Sequence, residues 1–157
     1  MSVLPSLASE GRLALTEPEL TEWGRQLGRH CTPPLVIAIA GDLGSGKTTL
    51  ARAICDGYGV SEPVTSPTFA IVHTYEAPRS AVHHLDLYRL KGVEELQNIG
   101  WDEIVAANAL VLVEWPERAG SQLPASHVPI ELSHAAGDPQ KRILYAGGHL
   151  GHQTGVR

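Results

Sequence analysis

Eight consecutive residues, Gly41-Asp42-Leu43-Gly44-Ser45-Gly46-Lys47-Thr48, satisfy the spacing G-x-x-x-x-G-K-[ST]. Each position has a mechanical reason. The glycines permit backbone angles that turn successive N–H groups toward one anion. A helix starting near Lys47 adds its positive N-terminal end to the same spot. Lys47 is expected to reach the β- and γ-phosphates, and the Thr48 hydroxyl to ligate Mg²⁺. The loop from Asp42 through Leu43, Gly44, Ser45, Gly46, Lys47 and Thr48 to Thr49 is therefore expected to hold a nucleoside triphosphate.

Chemistry on that triphosphate needs a carboxylate to hold the metal or order the attacking water, usually at the end of a neighbouring buried strand. Glu114 closes the run ALVLVE, and Asp86 sits in HHLDLYRL. The alternatives are a surface charge at a strand end for Glu114 and a turn or cap acid for Asp86. Ser66-Pro67-Thr68-Phe69 lies where switch proteins place a γ-phosphate-sensing loop, and a bound triphosphate with Mg²⁺ is expected to order it. Thr68 either meets the metal or the γ-phosphate, or simply opens a strand. His83 and His84 are adjacent, and a strand points neighbours to opposite faces, which argues against a joint metal site. His84 is the better functional candidate because it shares a face with Asp86, yet a packed or solvated histidine is the favoured expectation. Arg89 is read as a phosphate contact or as a partner of Glu94 or Glu95.

The elements that must position these groups are visible in the pattern. GRLALT (11–16) reads as a short strand or lead-in. Thr16, Pro18 and two glutamates then open a helix whose stripe is Leu20, Trp23 and Leu27. LVIAIA (35–40) is continuously apolar, as a strand buried on both faces should be. Residues 47–57 carry a helical pattern stopped at Gly57. TFAIVHTY (68–75) and AVHHLDLY (81–88) suggest a hairpin. VEELQNIGWDEIVA reads as two short helices broken at Gly100, and ALVLVE (109–114) as a second buried strand. HVPIELSH (127–134) and KRILYA (141–146) suggest an antiparallel pair around Gly137-Asp138.

Residues 1–146 are expected to form one domain, and the tail 147–157 to be mobile. Twelve Lys+Arg against seventeen Asp+Glu give a net charge of −5, which makes the chain a poor binder of bare nucleic acid. Any role on a nucleic acid would run through a partner. Cys31 and Cys55 match no metal-binding spacing and are expected to be reduced small hydrophobes. The start MSVLPSLASEGR lacks the pattern of a signal peptide, and no apolar run approaches the roughly 20 residues of a membrane helix. The expected location is the cytoplasm.

GDLGSGKTTL, VTSPTF, HHLDLYRL and VEWPER, in this order, closely resemble the TsaE (YjeE) family, small bacterial P-loop ATPases required for making threonylcarbamoyladenosine in tRNA. The motifs span residues 41 to 118, and the flanking lengths also fit. A phosphate loop alone is unspecific, whereas Ser-Pro-Thr-Phe followed by His-x-Asp-Leu-Tyr-Arg-Leu and Glu-Trp-Pro is far more specific. Leu85 departs from the phenylalanine common in the family, and nothing after Pro124 matches a motif.

The resemblance implies an α/β, P-loop NTPase-like three-layer sandwich with a mostly parallel central sheet and an antiparallel portion. It implies ATP in the loop, phosphate on Lys47, Mg²⁺ on Thr48, and Asp86 and Glu114 in metal handling and hydrolysis. Ser66 to Phe69 match the family's switch-like loop, and Trp115 its companion beside the acid. The implied partner is the TsaB–TsaD pair, with tRNA reached only through it and an ATPase weak in isolation. Two other readings stay open: a small-molecule P-loop kinase, and a non-hydrolysing nucleotide-binding module. The kinase reading lacks a cluster of lid arginines, since only Arg118, Arg142 and Arg157 follow Glu114.

Overall fold

A computed structural model of the chain describes residues 12–67 and 71–146. Thr68, Phe69 and the tail 147–157 lie outside the described residues. Strand β1 (Arg12–Thr16) runs directly into helix α1 (Glu17–His30). The Thr16 hydroxyl accepts from the Glu19 N–H, and the Glu19 carboxylate accepts from the Thr16 N–H, so two of the orphan donors at the helix start are met. The expected stripe of Leu20, Trp23 and Leu27 is buried. Strand β2 (Leu35–Gly41) follows, then helix α2 (Lys47–Tyr58).

Helix α2 continues past the expected stop. Gly59, at φ +105°, ends it. Gly57 lies inside the helix because α1 crosses there: a Cβ on Gly57 would stand 2.0 Å from the Arg25 carbonyl oxygen. Gly28 answers from the other side, where a Cβ would stand 2.2 Å from the Ile54 carbonyl oxygen.

Strands β3 (Val72–Glu76) and β4 (Ala81–Asp86) form the expected hairpin, with β3 starting later than the sequence pattern suggests. A 3₁₀ turn (Val93–Ile99) and helix α3 (Trp101–Ala106) are divided at Gly100, as expected. After β5 (Leu110–Glu114) comes a 3₁₀ segment, Pro116–Gln122, that the sequence pattern did not reveal. Strands β6 (Val128–Ala135) and β7 (Asp138–Ala146) close the described chain as an antiparallel pair.

The seven strands of the described residues join one sheet in the order β1-β7-β6-β2-β5-β4-β3. The middle is parallel, with β6, β2, β5 and β4 running together, and both edges are antiparallel. This mixed α/β arrangement agrees with the expected parallel centre and antiparallel portion. Side chains alternate across the strands, so the core divides in two. Ile37, Ile39, Leu110 and Leu112 meet α1 and α2 on one face, while Val36, Val111 and Val113 meet Trp101 and Ala119 on the other. Cys31 and Cys55 are buried and unpaired, and burial pushes both thiols up to about 12, as inert hydrophobes. Among the described residues, no helix is long and apolar enough to cross a membrane.

Candidate functional site

The parallel register brings the predicted acids together. Asp86 at the end of β4 pairs with Glu114 at the end of β5, and Glu114 pairs with Ile39 of β2. Glu114 shares the parity of Leu110 and Leu112, and Asp86 that of Val82, so both carboxylates project on the α2 face of the sheet. There the loop after β2 delivers Lys47 and Thr48 as the first residues of α2. Its entry needs Gly46 at φ +103°, a backbone angle that a side chain strains. Gly41 is fixed by space: a Cβ there would lie 2.4 Å from the Leu132 carbonyl oxygen.

Thr48 donates its hydroxyl to Glu114, with Oγ1 at 3.0 Å from Oε1 and 3.2 Å from Oε2. Lys47 is 5% exposed, and its Nζ donates to the carbonyls of Gly41 at 2.6 Å and Asp42 at 2.8 Å. The Trp115 ring covers it, with its centroid 4.2 Å from Nζ. Burial holds the Lys47 amine below its ordinary pKa, against the pull of Glu114 and Asp86. Burial likewise raises the Asp86 carboxyl, and the charge of Glu114 adds to it, although Asp86 Oδ1 accepts from the Tyr88 N–H at 3.0 Å. A dry cation and two dry carboxylates therefore face one cleft of about 320 Å³, lined also by Leu43, Gly44, Gly46, Thr49 and Ser66.

These residues fit an anion and a hard cation. Lys47 rests on neutral carbonyls, which charged phosphate oxygens would better. The hydroxyl of Thr48 and the carboxylates of Glu114 and Asp86 form an all-oxygen donor set, the kind Mg²⁺ takes. Two carboxylates and one hydroxyl leave positions for water and substrate oxygens, which is how Mg²⁺ is usually held.

The structure adds partners that the sequence pattern did not place at the site. His84, the better functional candidate of the histidine pair though expected to be packed or solvated, is fully buried and places Nε2 2.7 Å from Glu114 Oε2. Its shared face with Asp86 was the available signal, but one sequence does not reveal which strand lies alongside. The β6–β7 hairpin also reaches the loop: Arg142 Nη2 donates to the Gly44 carbonyl at 3.3 Å. Together with Thr16 and Glu17 at the start of α1, Pro139, Gln140 and Arg142 wall a second cleft of about 450 Å³ that shares Gly44, Gly46 and Thr49 with the first. Of the arginines considered for a lid, Arg118 instead donates to the Leu90 carbonyl and lies over the Tyr88 ring.

The family model described as "Threonylcarbamoyl adenosine biosynthesis protein TsaE" matches residues 15–143, nearly all of the described chain. The chain belongs to the TsaE family. A TsaE protein from Treponema pallidum (strain Nichols) is 35% identical over 128 residues, covering 82% of this chain and 93% of its own. One from Streptomyces coelicolor is 34% identical over 129 residues, covering 80% and 86%. Both are named as tRNA threonylcarbamoyladenosine biosynthesis proteins. Among solved structures, that of Bacillus subtilis YdiB superposes with a TM-score of 0.72 at 26% identity, over 92% of this chain and 90% of that one. The TsaE match takes in the phosphate loop, both carboxylates, His84 and the β6–β7 hairpin as far as Ile143.

Proposed function

We propose that this chain is a Mg²⁺-dependent ATPase acting with the TsaB–TsaD pair in threonylcarbamoylation of tRNA. Family membership supports the role in tRNA threonylcarbamoyladenosine biosynthesis. The observation that carries the enzymatic reading is the contact of Thr48 with Glu114, which joins the phosphate loop to an acid at a buried strand end. The mixed sheet is accordingly read as a P-loop NTPase sandwich, working in the cytoplasm. The net charge of −5 agrees with a factor that meets tRNA only through its protein partners.

In this reading the main-chain N–H groups of Gly44 to Thr49 orient the phosphates at the start of α2. Lys47 leaves the Gly41 and Asp42 carbonyls for phosphate oxygens, exchanging neutral acceptors for charged ones. The cleft walled by Thr16, Pro139 and Arg142 takes the nucleoside. Mg²⁺ on Thr48, Asp86 and Glu114 supplies charge neutralisation at the phosphates. Glu114 orders the attacking water, and the Trp115 ring keeps other water from Lys47.

The test is phosphate release by the full chain, alone and with TsaB–TsaD. Release that rises with the partners and disappears in Lys47→Ala is expected. Retention of both hydrolysis and tRNA threonylcarbamoylation in Lys47→Ala overturns the reading. Transfer of labelled phosphate to a metabolite would instead establish a kinase, and nucleotide-dependent partner binding without any phosphate release a non-hydrolysing module.

A further inference from the structure

Glu114 is 2% exposed and has three side-chain torsions to settle before its carboxylate can act. Among the described residues, the side chains of Thr48 and His84 hold it. Their commitments differ. Thr48 is shared between Glu114 and the metal position, whereas among the described residues His84 Nε2 is directed at Glu114 Oε2. His84 precedes Asp86 by two residues on β4, so the sheet presents both on one face, with His84 level with Leu112 of β5. It lies between Val82 and Asp86 on its own strand and is fully buried, level with His73 of β3 on the other side.

The direction of the bond follows from its chemistry. A carboxylate only accepts, so Nε2 carries the hydrogen and donates. Nδ1 is buried with no hydrogen-bond partner among the described residues. A proton there would be an unmet buried donor, so the Nε2–H tautomer is the one that suits the site.

We propose that His84 is the positioning residue of Glu114. Its Nε2–H fixes one carboxylate oxygen and so sets the rotamer in which the acid faces Thr48 and the phosphate loop. The inference rests on the reading of this cleft as the Mg²⁺–ATP site. Groups that hold a metal-site ligand in place are typically worth about 10- to 100-fold in activity or metal affinity.

The experiment compares His84→Gln, His84→Asn and His84→Leu. The glutamine amide nitrogen reaches about as far as Nε2, while that of asparagine stops near the Nδ1 position. Crystal structures of the nucleotide-free variants report the Glu114 rotamer, and steady-state phosphate release reports kcat and KM. In the Asn and Leu variants Glu114 is expected to leave Thr48, and kcat to fall about 10- to 100-fold with KM for ATP unchanged. The Gln variant is expected to restore both.

Glu114 unmoved in the Asn and Leu variants, or kcat unchanged in them, overturns the proposal. So does a Gln variant as poor as the Leu variant, since packing and not the donated hydrogen would then matter. If Leu fails to fold, the Gln–Asn pair decides. A native protein that releases no phosphate fails the reading of the cleft, and the Glu114 rotamers alone then decide the role of His84.

Discussion

The contact of α1 with α2 and the carboxyl ends of β2, β5 and β4 lie on one face of the sheet, yet they are built by opposite rules. Where the helices cross, Leu20, Trp23, Leu27, Leu50 and Ile54 pack around glycines at 24, 28 and 57 that leave no room for a Cβ. At the strand ends Lys47, His84, Asp86 and Glu114 are all less than a tenth exposed. The first region is limited by volume, the second by charge. One apolar layer does both: it excludes water under the helices, and the same dryness makes every charge in the cleft strong and costly.

Four changes would break or sharpen that contrast. The largest effect is expected from Glu114→Ala, which under the proposed cycle lowers phosphate release about 10²- to 10⁴-fold while the protein still unfolds cooperatively. Steady-state phosphate assays and a urea titration on the same sample check it, and an active variant would refute the role of the acid. Next is Gly57→Ala, which places a Cβ 2.0 Å from the Arg25 carbonyl oxygen and should cost about 1–3 kcal/mol. The urea midpoint reads it, and an unchanged midpoint would show that the helices can part without loss.

Asp86→Asn should act in the other direction. Burial, with the charge of Glu114 behind it, holds the Asp86 carboxyl above its ordinary 3.8, so the folded chain keeps that proton over a window in which the unfolded chain has released it. Stability from this group therefore rises as pH falls through the window and is lowest above it. The asparagine variant should be more stable than the native chain near neutral pH, with the advantage shrinking as pH approaches 3.8. Urea midpoints taken across pH measure the difference, and a constant offset would contradict the assignment. The smallest effect belongs to the exposed pair of Arg25 and Asp56, 2.7 Å apart with both side chains about half exposed. Arg25→Gln should cost about 1 kcal/mol or less, and less still in high salt.

The ordering of local elements was largely visible in the sequence, because each rests on short-range physics. The Thr16–Glu19 box, the Leu20-Trp23-Leu27 stripe and the apolar runs of β2 and β5 all speak for themselves within a few residues. What a single sequence conceals is lateral. Nothing in HHLDLYRL says that His84 will lie beside ALVLVE, or that Arg142 will reach back to Gly44 across the sheet. Gly57 misleads for the same reason: as a local signal it reads as a stop, and only the presence of α1 reveals it as a point of close approach. The phosphate loop and its two acids could be named from the pattern, whereas the partners that hold them required the strand order.

Trp115 carries a consequence for anyone seeking a sturdier protein. It holds left-handed backbone angles, φ 57° and ψ 51°, with its ring 4.8 Å from that of Tyr88 and its face over Lys47. Such angles in a bulky residue cost on the order of 1–3 kcal/mol. Glycine at this position would relax the backbone, but in the same step it would uncover the lysine and strip a ring from the cluster of Val111, Val113 and Trp101. Residue 115 thus holds a local backbone strain that its packing and its cover over Lys47 offset, so a search for durability and a search for turnover would both keep the tryptophan.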